Sequence, residues 1–206
     1  MHRTKMALVS ALLTLALGLG AVPSQALDLT NVAYVQTATA PTSIPVGHAE
    51  FCASRPAECR PNTEVVAAMP LTPARWQQLL DVNTNINTTI VPVTDEILYQ
   101  VSEFWTYPNG YGDCEDFALA KRRDLIKAGW PASTLLITVV REANGNGHAV
   151  LIVRTDRGDL VLDNQDGDVR LWSETPYQFI KRQAQDNPGQ WVDMIDSREM
   201  IIAAVN

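Results

Sequence analysis

One cysteine, one histidine and one aspartate follow one another along this chain at positions suited to a catalytic triad. Cys114 lies in the acidic motif Gly112-Asp113-Cys114-Glu115-Asp116, His148 follows a glycine-rich turn, and Asp163 ends a strand-like run. A thiol nucleophile needs a base to take its proton, and that base needs an acceptor to fix its tautomer. The order Cys, His, Asp therefore predicts a cysteine hydrolase or acyl transferase.

Each of these residues also has an ordinary structural explanation. A helical cysteine is usually a small buried hydrophobe, although its neighbours Asp113, Glu115 and Asp116 do not suit a core. His148 could simply end a hairpin, and Asp163 could belong to the polar turn that follows it. Spacing alone leaves both interpretations open.

Three helices are predicted to precede the sheet. Thr72 and Pro73 offer an N-cap hydroxyl and a proline at the first helical position, and apolar residues then recur every three or four residues. A second helix is predicted over 95–105 and a third over 114–128. Residues 27–50 show no helical period and are predicted to form an extended arm on the surface.

Strand signals follow the third helix. Residues 177–184 are predicted to be helical or irregular. Helices first and antiparallel hairpins afterwards indicate an α+β fold, with the helices packed on an antiparallel sheet. The predicted strands are 134–141, 148–155, 158–163, 169–172 and a closing edge strand at 199–205.

The length of one turn decides whether His148 and Asp163 can meet. If Asp156-Arg157 is a two-residue hairpin loop, Val150 faces Asp163, and His148 lies two residues along on the same face. A three-residue loop would place the two side chains on opposite faces of the sheet.

The N-terminal residues predict export. Residues 1–26 combine a basic start, an apolar run over 6–21 and small residues at a cleavage site, as in a secretory signal peptide. A membrane anchor is the alternative, but this apolar run is shorter than the roughly 20 residues that a span needs. We expect a single domain over 27–206, with no transmembrane span in the mature chain and a periplasmic location.

The charge of the mature chain argues against nucleic acid. Removing Arg3 and Lys5 from 16 basic residues leaves 14 against 23 acidic ones, a net charge of −9. Phosphate binding needs clustered Lys and Arg, and the sequence contains no such stripe.

The three cysteines divide into a pair and a single residue. Cys52 and Cys59 lie in one short polar segment, and in an oxidising compartment such a pair is most simply a disulfide. Zinc is the rival, but two cysteines and the nearby His48 make an incomplete site. Cys114 is left unpaired where idle thiols tend to be oxidised.

The sequence around the candidate triad resembles the bacterial transglutaminase-like cysteine proteinases. The likeness is carried by 112–118, 147–151 and 162–164, and it extends upstream to the cysteine pair and to the first long helix, so that it covers most of the mature chain. It implies a papain-like transglutaminase fold with Cys114 as nucleophile, His148 as general base and Asp163 as the residue that orients it.

The same resemblance implies a cation and partners. Family members of the LapG type are periplasmic, calcium-dependent proteases that cleave a large surface adhesin and are regulated by an inner-membrane receptor. Asp113 and Glu115 match the acidic residues that flank the family's nucleophile, and Asp116 adds a third carboxylate suited to calcium. The alternative is that Asp113 and Glu115 only cap and charge the start of the helix.

The expected activity is that of a periplasmic cysteine endopeptidase. The Cys114 backbone N–H would stabilise the oxyanion, with Trp105, Asn83 and Asn87 as candidates for a second donor. Two alternatives remain: acyl transfer to an amine by the same triad, and a binding module without turnover. A substrate peptide offered together with an amine separates these outcomes.

Overall fold

The computed structural model describes residues 34–198. The predicted signal peptide at 1–26 and the predicted edge strand at 199–205 lie outside these residues. No helix within the described range is long and apolar enough to cross a membrane.

Four α-helices and nine strands make up the described part of the chain, with short 3-10 turns between some of them. The helices are α1 (Val46–Ser54), α2 (Pro73–Thr89), α3 (Asp95–Leu98) and α4 (Cys114–Lys127). The strands are β1 (Gln36–Thr42), β2 (Val91–Pro92), β3 (Tyr111–Gly112), β4 (Leu135–Arg141), β5 (Gly147–Thr155), β6 (Gly158–Leu162), β7 (Arg170–Leu171), β8 (Gln178–Gln183) and β9 (Trp191–Ile195).

Seven of the strands form one sheet in the order β1-β9-β8-β4-β5-β6-β7, and every pairing in it is antiparallel. The other two, β2 and β3, form a short parallel pair. The predicted α+β class, with helices packed on an antiparallel sheet, is confirmed.

The helices cover one face of this sheet. Helix α4 packs against α2, β4 and β5, and its Leu119 and Leu125 join Leu79 of α2 and Leu151 of β5 in one buried cluster. Burial of such side chains stabilises the fold by roughly 1.5–3 kcal/mol each. Because the sheet and α2 enclose α4, its first turn lies inside the protein, which is where the candidate nucleophile is found.

The predicted helix over 95–105 is wrong, because helical structure ends after the single turn of α3. The Asp95 carboxylate accepts the Phe104 backbone N–H, and this folds the chain back on itself. Gln100 has φ +60°, which is left-handed backbone that interrupts a helix. A hydrogen bond across nine residues therefore decides the local structure.

Two further predictions need correction. The segment 177–184, predicted to be helical or irregular, contains strand β8, which pairs with β4 and β9 inside the sheet. The described part of the predicted arm at 27–50 is not simply extended, because it contains edge strand β1 and the start of α1. Arg182 of β8 is only 4% exposed, so a strand with a charged, polar sequence is nevertheless buried.

A disulfide joins α1 to the 3-10 turn that follows it. Cys52 and Cys59 are bonded, as predicted from their spacing. Cys114 is the free thiol.

Candidate active site

The start of α4 holds Cys114 in a half-buried position. Asp113 takes the N-cap position, but its carboxylate makes no capping hydrogen bond to the helix. It accepts the backbone N–H of Asp95 instead, at 3.3 Å. Cys114 therefore lies in the first turn, as predicted, while the neighbouring carboxylate is turned away from the helix toward α3.

A hairpin brings His148 and Asp163 together. Thr155 pairs with Gly158, so the connection is the two-residue loop Asp156-Arg157 that the prediction required. His148 at the start of β5 and Asp163 just after β6 then lie on one face, with Nε2 and Oδ1 2.8 Å apart. Both side chains are almost fully buried.

Four groups hold Asp163. His148 and the Gln165 backbone N–H meet Oδ1, at 2.8 and 3.0 Å. The Tyr177 hydroxyl donates to Oδ2 at 2.5 Å, and the side-chain amide of Asn87 donates to the Asp163 backbone carbonyl at 2.7 Å. Burial raises the pKa of Asp163, but the hydrogen bonds from His148, Gln165 and Tyr177 outweigh it, so the net pKa is lowered.

The thiol of Cys114 is hydrogen-bonded to Glu115 rather than to His148. Its Sγ lies 3.1 Å from the Glu115 carboxylate. Burial raises the pKa of this thiol well above its usual value, Glu115 raises it further, and the backbone N–H of Ala149 lowers it. Gln165 Nε2 lies 3.3 Å from His148 Nδ1, the nitrogen left free when Nε2–H donates to Asp163.

Two hollows meet at Cys114 and His148. One, of about 460 Å³, is lined by both residues together with Pro45, Val46 and Val139. The other, of about 340 Å³, shares Cys114, Gly147 and His148 with the first. Its remaining wall is mostly polar and comes from Pro92, Val93, Thr94, Asp113, Glu142, Asn146, Asn164 and Gln165. The cysteine and histidine therefore lie where two parts of a cleft join.

Three carboxylates converge next to the cysteine. Asp95, Asp113 and Asp116 place one oxygen each within 4.8 Å of one another. Asp95 Oδ1, Asp113 Oδ1 and Asp116 Oδ2 are buried and have no hydrogen-bond partner within residues 34–198. Gly112 allows this approach, because a Cβ there would lie 2.6 Å from Asp116 Oδ2. We call Asp95, Asp113 and Asp116 the acidic cluster.

Burial raises the pKa of each carboxyl in and beside this cluster. For Asp116 it raises the pKa to about 8, and for Asp95 to about 6, with neighbouring carboxyls adding to both. The pKa of Asp113 is also raised, mainly by burial. Unpartnered, closely spaced carboxylates of this kind are costly unless a proton or a cation neutralises them.

The predicted metal residues do not all belong to this cluster. The structure brings Asp113 and Asp116 together, but their third partner is Asp95, and Glu115 instead contacts the Cys114 thiol. Burial and then the nearby Asp113 raise the pKa of Glu115 to about 9. No sequence motif indicated Asp95, because the parallel pairing of β2 with β3 brings it to the site.

The three candidates for a second oxyanion donor are engaged elsewhere. The side-chain amides of Asn83 and Asn87 donate to the backbone carbonyls of Gly167 and Asp163. The Trp105 indole N–H donates to the Glu103 carboxylate at 3.1 Å. The two asparagines thus fix the loop that carries Asp163.

The sequence did not predict Tyr177 or Gln165 as site residues. Tyr177 lies in a segment that was predicted to be helical or irregular, and Gln165 is an ordinary loop amide.

The comparisons with known proteins agree with this geometry. The profile of the bacterial transglutaminase-like cysteine proteinases (BTLCP) matches residues 38–199. A search of curated protein sequences finds no significant match. Calcium-bound LapG of Legionella pneumophila is similar in structure, with 25% identity, a TM-score of 0.51, and 63% of this chain and 74% of that chain covered. EGTA-treated LapG gives 25% identity, a TM-score of 0.50, and 63% and 72% covered. The chain belongs to the bacterial transglutaminase-like cysteine proteinases, and it is a cysteine peptidase with a transglutaminase-like fold.

Proposed function

We propose that the protein is an exported endopeptidase that cleaves peptide bonds with Cys114, His148 and Asp163. The observation that carries this proposal is the buried 2.8 Å contact between His148 and Asp163, which lies in the same cleft as the thiol at the start of α4. An oriented base beside a thiol is the arrangement that activates a cysteine nucleophile.

The residues divide the reaction between them. His148 Nδ1 takes the proton of Cys114, and the thiolate attacks the carbonyl carbon of the substrate amide. Asp163 accepts from His148 Nε2–H and stabilises the imidazolium that forms. The imidazolium then protonates the leaving amine, and water, deprotonated by the same histidine, hydrolyses the thioester. The backbone N–H of Cys114, in the first turn of α4, is available for the oxyanion.

Two side chains must move before this chemistry begins. The thiol hydrogen is directed to Glu115, and Gln165 lies against His148 Nδ1. Substrate entering the cleft would displace both, because each of them lines one of the two hollows beside Cys114.

The shape of the cleft supports cleavage within a chain. The two hollows share Cys114, Gly147 and His148 and are otherwise lined by different residues, which would give a substrate room both before and after the scissile bond. An exopeptidase would need one side closed by groups that hold a chain terminus.

The acidic cluster fits a calcium ion. Asp95, Asp113 and Asp116 offer hard oxygen ligands, and one oxygen of each is buried without a partner. A solved structure of the relative LapG is calcium-bound. A bound cation would neutralise these carboxylates and join α3 to the start of α4. Because the Asp113 carboxylate raises the pKa of Glu115, neutralising Asp113 would lower that pKa.

The expected location and partners follow from the predicted signal peptide and from the family. Export of the chain from residue 27 would place the enzyme in the periplasm, where the Cys52–Cys59 disulfide is stable. A large surface adhesin is the proposed substrate class, and an inner-membrane receptor is the proposed regulator.

A peptide library made from the exported proteins of the source cell tests the activity. The mature protein should produce new N-termini, detected by mass spectrometry, and Cys114→Ala should produce none. Each reaction is run with excess calcium and with EGTA. Cleavage that persists in Cys114→Ala would refute Cys114 as the nucleophile. Equal cleavage with calcium and with EGTA would exclude a calcium requirement but leave the peptidase assignment intact. Adding an amine separates hydrolysis from transfer.

A further inference from the structure

We infer that Tyr177 is a positioning residue for the candidate triad, because its hydroxyl fixes the Asp163 carboxylate in the orientation that accepts from His148. The inference rests on the proposed function, since it concerns how the triad's acid is held. It adds a fourth residue to the Cys114, His148 and Asp163 set.

The two oxygens of the Asp163 carboxylate face different side chains, His148 and Tyr177. Oδ1 lies 2.8 Å from His148 Nε2, and Oδ2 accepts the Tyr177 hydroxyl at 2.5 Å. Within residues 34–198 the Tyr177 hydroxyl is the hydrogen-bond partner of Oδ2, while Oδ1 also accepts the backbone N–H of Gln165. Without the hydroxyl, Oδ2 would be left buried and unpaired, and only the partners of Oδ1 would hold the carboxylate in its orientation.

Tyr177 also contacts the base directly. Its ring centroid lies 5.4 Å from that of His148, at an interplanar angle of 53°. One side chain thus packs on the imidazole and holds the acceptor of the imidazole proton. A phenylalanine would keep the first contact and lose the second, which makes the two roles separable.

The backbone around Tyr177 is itself anchored. Arg198 donates to the Tyr177 backbone carbonyl at 2.6 Å, and its guanidinium lies over the rings of Trp172 and Phe179. Tyr177 is only 8% exposed. A buried phenol on a fixed backbone is pre-organised, which a positioning role requires.

The charges around this pair favour a neutral phenol and an ionised acid. Burial and the Asp163 carboxylate raise the pKa of Tyr177, with Glu142 and Asp166 adding to the effect. Lys121 of α4 is buried near Asp163; burial lowers the pKa of Lys121 to about 7, and the Asp163 carboxylate raises it in part. The raised pKa keeps the Tyr177 phenol protonated, so that it donates to Asp163 and favours the ionised form of that carboxylate.

Alkylation of Cys114 by iodoacetamide tests the inference without any peptide substrate. The rate is measured by mass spectrometry across pH, in excess calcium chloride, for the wild type, Tyr177→Phe, Asp163→Asn and the double variant. Tyr34→Phe is the matched control, because it also removes a tyrosine hydroxyl that donates a hydrogen bond, here from a half-buried side chain to the Thr155 backbone carbonyl. Thermal unfolding of each variant is followed in parallel.

We expect Tyr177→Phe to slow alkylation about tenfold and to move the acid limb of the profile to higher pH, because Asp163 then protonates more easily. In the Asp163→Asn background the same substitution should change nothing, since its effect passes through the carboxylate. Tyr34→Phe should match the wild type.

Four outcomes would overturn the inference. If Tyr177→Phe is alkylated across pH as Tyr34→Phe is, while Asp163→Asn is alkylated slowly, the triad stands but Tyr177 has no part in positioning it. An equal loss in both backgrounds would mean that the hydroxyl acts through packing. An Asp163→Asn variant as reactive as the wild type would refute the triad itself. If Tyr177→Phe does not fold, 3-fluorotyrosine at position 177 keeps the hydroxyl as a stronger donor, and an unchanged acid limb then overturns the inference.

Discussion

Cys114 separates two polar regions that are built in opposite ways. On the side of the sheet, His148, Asp163 and Tyr177 form a chain of hydrogen bonds in which both oxygens of the carboxylate are satisfied. On the side of α3, three carboxylates converge, and one oxygen of each has no partner within residues 34–198. Burial is comparable in the two regions, but hydrogen bonding is not.

The difference shows what each region needs in order to work. The hydrogen-bonded side is pre-organised by the protein, so its geometry should persist without any ligand. The acidic cluster concentrates negative charge that the protein does not neutralise, so its state should depend on protons and cations. Cys114 therefore lies between the proposed catalytic pair, which is fixed by hydrogen bonds, and a cluster whose charge we expect to depend on protons and cations.

The largest expected effect on activity comes from changing Asp163, on the hydrogen-bonded side of Cys114. Asp163→Asn keeps the shape of the side chain but removes the charge that stabilises the His148 imidazolium. Cleavage of a peptide found with the library should fall by about 10³–10⁴-fold. Added calcium should not restore it, because the proposed cation site, the acidic cluster, lies on the other side of Cys114. Recovery in excess calcium would mean that the two regions are not separate.

The next effect comes from the acidic cluster. At saturating calcium we expect the wild-type melting temperature to rise by about 5–10 °C, given roughly 2.7 kcal/mol at a hundredfold excess over Kd. Asp95→Asn should lose most of this rise and, without calcium, be no less stable than the wild type. The matched control is Glu96→Gln, a neighbouring exposed residue of α3 outside the cluster. A full calcium response in Asp95→Asn would exclude Asp95 as a ligand.

The two regions should also respond to pH with opposite signs. The folded pKa values of Asp95 and Asp116, about 6 and about 8, lie above the unfolded values near 4. The folded state therefore binds more protons than the unfolded state, and stability should fall as pH rises from about 4 to about 8. The pKa of Asp163 is lowered, so its contribution is lost only as pH falls below about 4. Melting temperatures across pH in EGTA test this, and calcium should flatten the slope. A pH dependence between pH 5 and pH 8 in EGTA that is the same in Asp95→Asn as in the wild type would contradict the assignment.

The smallest effect is expected from freeing His148, the proposed general base, of its contact with Gln165. Gln165→Ala removes the amide that lies 3.3 Å from His148 Nδ1. Freeing this nitrogen for the thiol proton should speed alkylation of Cys114 by about fivefold, the equivalent of one ordinary hydrogen bond. Gln77→Ala, which removes an exposed amide on α2, should have no effect. A slower rate in Gln165→Ala would mean that the amide assists the base instead of competing for it.

The sequence predicted the fixed side of the site better than the acidic cluster. Cys114, His148 and Asp163 lie on local elements whose starts and turns are readable from nearby residues. The sequence left a two- or a three-residue loop open between the last two, and the structure has the two-residue loop that brings them together. Asp95 lies 18 residues before Asp113, and only the long-range pairing of β2 with β3 brings the two together. No local pattern contains that information.

The same limit explains the errors in secondary structure. A helix was predicted over 95–105, but helical structure ends after α3, where the Asp95 carboxylate accepts the backbone N–H of Phe104 nine residues later. The charged residues of β8 concealed a strand that is buried by its neighbours in the sheet. Tyr177 was not predicted as a site residue, because it immediately precedes β8 and only the sheet brings it next to Asp163.

The hairpin between β5 and β6 limits how this chain can change in length. Its turn is tied to the segment before α2, because Asp156 accepts the backbone N–H of Leu71 and donates its own to Met69. Gly158 follows with φ +117°, a conformation that other residues rarely adopt. Inserting a single residue would turn Asp163 to the opposite face of the sheet. Most surface turns tolerate insertions and deletions, but this one should tolerate neither, and its length can serve to tell active homologues from inactive ones.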